Sequence, residues 1–287
     1  NLLKKRYLPL LFLLPTMMII SFEFLYPIIY TFLLSFYNVK LLENKFEFVG
    51  LENYILLFNN RIFFSNLLKN TLIWTFGSTL TVFGFGMLLA LLLHDPKLHF
   101  KKIFRGIFII PWSFSMVGIM TWRWLFSTDY GMFNEILKRI GLINEYLPWL
   151  ESTQYSIWAC IIFNMWHMSP YAMVMILAGL ESIPTVLYEA AELDGANSIK
   201  KFVYITLPQL KVTLAVASSL YMIWTLNTIV PYILVPGSGT TEVLATYIYK
   251  TFFLSFNFGL GSAATTLLFI LTLIIALVYL KLLKLEW

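Results

Sequence analysis

The sequence predicts an all-α polytopic membrane protein with six transmembrane helices, and three observations carry that prediction. The 287 residues are 59% hydrophobic and only 12% charged, where a soluble domain shows about 45–50% apolar and about 25% charged residues. Mean hydropathy is +0.78. The apolar residues also gather into runs of the length a bilayer crossing needs, about 20 residues. The net charge of +5 falls in short clusters between these runs and forms no continuous basic stripe, so no nucleic acid is expected as a partner.

Six runs qualify, roughly 8–36, 71–94, 104–126, 154–180, 209–231 and 262–284, and all are read as parts of a single transmembrane domain over 1–287. The first follows Lys4-Lys5-Arg6. It is longer than a signal-peptide core of roughly 7–15 residues and lacks a small-x-small cleavage site, so it reads as a retained anchor. An even number of spans puts both termini on one side, and Lys and Arg mark the cytoplasmic side. Of the 20 basic residues, twelve lie on the side of the termini: Lys4, Lys5, Arg6, Lys97, Lys101, Lys102, Arg105, Lys200, Lys201, Lys211, Lys281 and Lys284. The other eight are Lys40, Lys45, Arg61, Lys69, Arg123, Lys138, Arg139 and Lys250. Both termini and the connector 182–208 are therefore expected in the cytoplasm.

On the opposite side, residues 38–70 alternate aromatic and polar side chains, which predicts short helices on the membrane surface and no strand. Within 129–152, Met132, Phe133, Ile136, Leu137 and Ile140 form a helical apolar stripe beside Lys138 and Arg139, the pattern of an interfacial amphipathic helix. Trp122, Trp124 and Trp149 fall near the expected outer boundary, where aromatic belts form.

The connector "EAAELDGANSIKKFVYITLPQL", Glu189 to Leu210, gathers Glu189, Glu192, Asp194, Lys200 and Lys201 between two strongly apolar stretches. Ser182 is expected as N-cap and Pro184 in the first turn of a helix. That helix runs to about Leu193, and Asp194-Gly195 ends it because glycine tolerates the left-handed conformation. A second short helix follows, and Leu207-Pro208 opens the fifth span. Ala190 and Ala191 leave a face with almost no side chain, flanked by the carboxylates of Glu189, Glu192 and Asp194. Another backbone can approach such a face closely, and a basic partner can pair with its rim. Composition by itself favours a solvated helical hairpin between two spans.

Catalytic chemistry is excluded on several counts. No Gly-Lys pair occurs, so there is no phosphate-binding P-loop and no ATPase activity is expected of this chain. Cys160, His94, His99 and His167 show no metal-ligand spacing, and no nucleophile motif arranges the Ser, His and Asp residues. The chain is expected not to be an enzyme and to hold no cofactor or metal of its own.

Polar residues inside the spans are costly and mark function more often than chance. In the fourth span Asn164, His167 and Tyr171 recur on one helix face. In the fifth, Ser218, Tyr221, Thr225 and Thr228 form a similar stripe, with Trp224 and Asn227 beside it. Hydroxyl-directed groups beside aromatic faces suit a polyhydroxylated solute. The alternative is hydrogen bonding between helices. Glu23 is the one carboxylate deep in a span; it faces either a protein contact or a hydrated pocket, or else serves an ion-coupled secondary carrier together with His167. Gly261, Ala264 and Thr265 are spaced for close helix packing.

Glu189-Ala190-Ala191, three residues, Gly195, nine residues, then Ile205-x-Leu207-Pro208 resembles the EAA loop of ABC-importer permeases. The stretches "FVGLENYILLF", "NTLIWT", "IIPWSFSMVGIMTWRWLFSTDYGMFN", "EAAELDGAN" and "TEVLATYIYKTFF" resemble the sugar permeases related to the maltose transporter, in the type of its larger permease subunit. The resemblance implies a type I ABC importer transmembrane fold in a bacterial inner (cytoplasmic) membrane. It implies that Glu189, Ala190, Ala191, Asp194, Gly195 and Pro208 belong to the element that couples to an ATPase. The implied partners are a second homologous permease, two ATPase subunits that bind ATP and Mg, and an extracytoplasmic solute-binding protein. The fourth and fifth spans would contribute to the sugar site, with Asn164, His167, Tyr171, Tyr221, Trp224, Asn227 and Thr228 as its candidates. The same importer type for an acidic or non-sugar solute, such as a uronate oligosaccharide or polyol phosphate, is the alternative. Two departures stand out: the segment before "TEVLATYIY" is shortened to "VPGSGT", and the large outer domain of the maltose subunit is absent.

Overall fold

A computed structural model describes residues 12–43, 45–59, 61–235 and 241–282. Lys4, Lys5 and Arg6, the Pro236–Thr240 part of "VPGSGT", and Lys284 lie outside the described residues. Packing divides the chain into two compact units, one of residues up to Phe64 with Tyr247–Leu271, the other of Ser65–Thr246 with the residues from Thr272 onward. Among the described residues four helices are long and apolar enough to cross a membrane, or up to six when each of two bent pairs counts as one span.

The first unit begins with α1, Phe12–Leu34, whose middle turn Ser21–Leu25 is a π-turn that includes Glu23. Here the structure departs from expectation: residues after the first span form a β-hairpin. Strand β1 (Tyr37–Lys40) pairs antiparallel with β2 (Lys45–Phe48) in the register Tyr37↔Phe48 and Val39↔Phe46. Aromatic pairing drives it, with the Tyr37 ring 5.0 Å from Phe46 and 5.3 Å from Phe48. At the turn the Glu43 carboxylate takes Lys40 and Lys45, each at 3.0 Å. Their hydrogen bonds hold it below the usual carboxylate range. Four residues per strand are too few to show a period-2 signature, which is why the pattern escaped the sequence reading.

One surface helix, α2 (Glu52–Asn59), follows. Its buried Asn53 donates to the carbonyls of Ser35 and Tyr37, both at 2.9 Å, and the Tyr54 hydroxyl donates to Ser35 Oγ at 2.7 Å. The Asn-Tyr pair of "GLENY" thus ties the helix to the chain leaving the first span.

α3 runs from Arg61 to His94, ten residues earlier than the expected start of the second span. In the second unit it packs beside α7, Ser156–Glu181. Contact is close: a Cβ on Gly86 would lie 2.6 Å from the Ala172 Cβ, so only glycine fits. Between them come α4 (Lys101–Ser113), α5 (Ser115–Leu125) and the short α6 (Met132–Arg139). The expected third span, 104–126, is not one helix. Pro111 lies inside α4 and the backbone leaves helical geometry at Phe114, so α4 and α5 meet at 86°.

α6 is the expected amphipathic helix of the outer segment. Asn134 on its inner face is buried. It accepts from the Leu147 N–H at 3.1 Å and the Trp149 indole at 2.9 Å, and donates to the Leu147 carbonyl at 2.9 Å. Trp122 and Trp149 sit in an aromatic cluster with Phe126 and Phe133; of the three tryptophans expected in the belt, Trp124 alone presents an exposed ring.

After α7 come α8 (Thr185–Leu193), α9 (Ser198–Gln209) and α10 (Lys211–Leu226). α9 and α10 meet at 63° just after Pro208. The expected fifth span, 209–231, is helical only to Leu226; the chain turns through Asn227 and resumes as α11, Val230–Leu234. α12 (Leu244–Phe253) and α13 (Phe258–Leu282) complete the described chain. The second unit's core is a cluster of Leu89, Ala90 and Leu93 from α3, Tyr171, Ala172, Met173, Ile176 and Leu180 from α7, and Ala217 and Tyr221 from α10.

Candidate functional site: a helical connector and an intramembrane polar face

The connector is built by its own backbone signals. Ser182 does not cap α8 as expected; its hydroxyl turns back to the Gly179 carbonyl at 2.7 Å and closes α7. Pro184, extended at ψ 128, occupies the N-cap of α8 with no side-chain cap. The far end of α8 follows the glycine rule fully. Gly195 has φ +74, its N–H reaches the Glu192 carbonyl at 3.0 Å, and the Ala196 N–H reaches the Ala191 carbonyl at 2.8 Å. Those two bonds are a Schellman motif. The next helix has a conventional cap: the Asn197 side chain accepts from the Lys200 N–H at 2.9 Å.

Two side-chain contacts fold the hairpin. Glu192 Oε1 takes the Lys201 ammonium at 2.6 Å, and the Tyr188 and Thr206 hydroxyls meet at 2.9 Å. Lys201 holds the Glu192 carboxylate below its usual range. Glu189, Ala190, Asp194 and Gly195 are exposed, Ala191 is half-buried, and Leu193 presents 91% of its surface. Pro208 is exposed at the end of α9. α8 therefore ends in an apolar knob beside three exposed acidic residues, of which Glu192 is paired with Lys201.

The polar face is divided by exposure. Asn164, His167 and Tyr171 on α7 are buried at 4%, 7% and 7%, and each is engaged within the chain. Asn164 donates to the Tyr221 hydroxyl at 2.6 Å, and the Tyr171 hydroxyl donates to the Ala217 carbonyl at 3.2 Å. His167 Nδ1 lies 2.9 Å from the Pro111 carbonyl, at the break between α4 and α5. A carbonyl only accepts, so Nδ1 carries the proton and donates it to Pro111. Ser218 and Thr225 are buried in the same interior. By contrast Trp224 is 50% exposed, Asn227 is exposed and Thr228 half-buried. Tyr171 connects the two sets, its ring 5.2 Å from Trp224 and 6.4 Å from Tyr221.

Sequence reading did not single out the anchors of this face. On α3, Asn70 donates to the Glu242 carbonyl at 3.2 Å, the Thr71 hydroxyl accepts from the Leu244 N–H at 2.9 Å, and the Trp74 indole donates to the Thr225 carbonyl at 2.9 Å. The stretch "NTLIWT" thus pins both α10 and the start of "LATYIY". Nothing local signals partners more than 150 positions away; the one available clue was that both stretches carried the family resemblance.

Apolar helices enclosing a hydrogen-bonded polar face, with a charged hairpin between two of them, define the membrane component of a transport system. Residues 82–284 match the family described as "Binding-protein-dependent transport system inner membrane component", and the chain belongs to that family. It is 34% identical to the sulfoquinovosyl glycerol transport system permease protein SmoG of Agrobacterium fabrum, over 97% of this chain and 91% of that one. It is 32% identical to the trehalose/maltose transport system permease protein MalF of Thermococcus litoralis, over 94% and 92%. Among solved structures, a chain of the bacterial alginate ABC transporter in complex with alginate pentasaccharide-bound periplasmic protein superposes with TM-score 0.80 at 26% identity, covering 98% of this chain and 96% of that one. The importer fold expected from the sequence is the fold observed, predominantly helical with the Tyr37–Phe48 hairpin as its one departure among the described residues. The secondary-carrier reading of Glu23 and His167 falls with the family assignment.

Proposed function

We propose that this chain is the membrane-spanning permease subunit of an ATP-driven, binding-protein-dependent importer of sugars or oligosaccharides, forms half of the translocation pathway, and couples to a separate ATPase. The observation that carries the reading is the connector. α8 ends in a Schellman turn at Gly195 and presents Leu193, Glu189 and Asp194 to whatever docks there. In this reading the ATPase binds ATP and Mg, closes on it, and moves the connector. Glu189 and Asp194 pair with basic groups, Ala190 and Ala191 admit close approach, Gly195 sets the turn, and Pro208 transmits the movement at the bend into α10. A solute-binding protein delivers its cargo on the opposite face, and a homologous permease supplies the other half of the path. The connector and both termini face the cytoplasm of a bacterial cell, in its inner membrane, as the distribution of Lys and Arg supports.

Trp224, Asn227 and Thr228, with Tyr171 behind them, are assigned to the solute path, and Asn164, His167 and Tyr221 hold that face in place. Relatives named for sulfoquinovosyl glycerol and trehalose/maltose support a sugar-like cargo. The similarity to an importer of the acidic polysaccharide alginate favours an acidic solute as second reading. The assigned residues include no Lys or Arg to balance a carboxylate, which weighs toward a neutral sugar.

The test is co-purification of the chain with its co-expressed ATPase, as wild type and as Gly195→Asp. Retention by wild type and loss or uncoupling in the variant supports the coupling role. An ATPase that never associates with wild type overturns it.

A further inference from the structure

Outside the connector and the polar face, the described residues of the second unit form a pocket with a marked chemical bias. It measures about 380 Å³ and is lined by Leu93 and His94 at the end of α3, Lys101, Lys102 and Arg105 in the first turns of α4, and Leu177 and Glu181 at the end of α7. α3 and α7 both end here, at His94 and Glu181, so the pocket lies at the level where two membrane-crossing helices leave the apolar layer. Four nitrogen-bearing side chains surround one carboxylate. Arg105 Nη2 bonds Glu181 Oε1 at 3.0 Å, and Lys101 Nζ caps the end of α3 through the His94 carbonyl at 3.3 Å. Lys102 and the His94 ring have no partner among the described residues. The site therefore keeps an excess of positive charge after its internal pairing.

What surrounds the cations selects the ligand. From its first turn onward, α4 exposes Ile103, Ile107 and Ile110 at 59%, 51% and 50%, with Phe104 beside them. These positions follow the i, i+4, i+7 spacing of one helix face, which helical geometry puts across α4 from Lys101 and Arg105 and next to Lys102, and which runs toward Pro111. A soluble protein would leave this apolar row uncovered or bury it beside a lysine cluster. A lipid satisfies both parts, with a phosphodiester reaching the pocket at Lys102, the cation that flanks the row, and acyl chains along the isoleucines. Basic pockets between membrane helices bind anionic headgroups in this manner.

We propose that the pocket formed by His94, Lys101, Lys102 and Arg105 is a binding site for an anionic phospholipid headgroup of the phosphatidylglycerol type. Lys102 is the primary contact and Lys101 the second; Arg105 presents its remaining N–H groups while Glu181 fixes its orientation. A lipid seated there wedges the α3 and α7 ends to the start of α4, and so stiffens the end of the bundle next to the connector. The proposal does not depend on the solute or on the ATPase assignment.

The test is native mass spectrometry of the full chain after exchange into detergent containing equal phosphatidylglycerol and phosphatidylcholine. Wild type retains phosphatidylglycerol and not phosphatidylcholine. Each cation removed near a membrane surface weakens anionic-lipid binding about fivefold, so Lys101→Gln/Lys102→Gln binds roughly thirty-fold more weakly. Lys101→Arg/Lys102→Arg retains the lipid, and Lys102→Gln by itself, the milder change, shows the fivefold loss even if the double variant fails to fold. Equal retention of phosphatidylglycerol by wild type and Lys102→Gln overturns the site. Equal retention of both lipids by wild type overturns it as well, and displacement of the lipid by millimolar inorganic phosphate reassigns it to a soluble anion.

Discussion

Asn164 on α7 and Tyr221 on α10 meet by one hydrogen bond of 2.6 Å, with both side chains almost wholly inside the second unit. The two residues are 57 positions apart and belong to different spans. Their contact joins the fourth and fifth spans at the centre of the polar face, and it separates the residues that hold the face from those that can reach a solute.

Tyr221→Phe leaves the Asn164 amide without its partner. In water-soluble proteins an orphaned buried donor costs about 1–3 kcal/mol, but membrane double-mutant cycles average about 0.6 kcal/mol because the reference state finds other partners. The second figure applies in a span. A cycle of Asn164→Ala and Tyr221→Phe should give a coupling of ~0.6 to ~1.7 kcal/mol in detergent unfolding; a coupling near zero would remove the contact from the account.

Trp224→Ala should behave in the opposite way. Its ring is half exposed, so truncation costs little stability, yet uptake should fall steeply if the ring stacks on a sugar. Unchanged transport with the ring removed would take Trp224 out of the solute path.

Gly195 separates two kinds of cost. A Cβ there meets nothing within 4 Å, but the backbone is at φ +74. Gly195→Val therefore suffers a conformational penalty of about 1–2 kcal/mol without a clash, while Gly195→Asn is nearly neutral because Asn accepts the left-handed turn. ATPase co-purification should be kept in the Asn variant and reduced in the Val variant. Equal loss in both would point to steric exclusion by the partner instead.

The Glu192–Lys201 pair makes the connector sensitive to acid. Glu192 is held below the usual carboxylate range by its Lys201 hydrogen bond. Its contribution is therefore present above the unfolded-state pKa of about 4.3 and is lost as pH falls through the lower folded value. Hydrogen exchange of the connector amides should differ between wild type and Glu192→Gln at neutral pH. The difference should vanish once Glu192 is protonated, and should shrink in high salt because the pair is exposed.

Orientation can be read with an impermeant thiol reagent. Cys160 is fully buried, so a Cys160→Ser background is clean. Asn197→Cys should label only in inside-out vesicles and Leu142→Cys only in right-side-out ones. The reverse pattern would invert the assigned topology.

Glu23 lies in the π-turn of α1, exposed and remote from the polar face residues in sequence. Glu23→Gln should leave ATP-driven uptake intact, whereas loss of uptake would restore a role for this carboxylate in transport.

What the sequence determined by itself was the class and the local signals. Apolar runs of bilayer length, the Asp-Gly helix stop and the spacing of the connector all act within a few residues, where hydrophobic length and backbone preference decide the outcome. The β-hairpin of Tyr37–Phe48 was beyond that reach because its strands are short and its stability comes from cross-strand rings. Ser182 was misassigned because a serine between two helices can cap either, and only the position of the Gly179 carbonyl decides which. The tertiary structure alone divided the polar stripe: helical spacing put Asn164, Tyr221, Trp224 and Asn227 on comparable faces. Which of them turn inward depends on how α7 and α10 pack, and packing is set by side chains more than fifty positions apart, whose meeting no local pattern encodes.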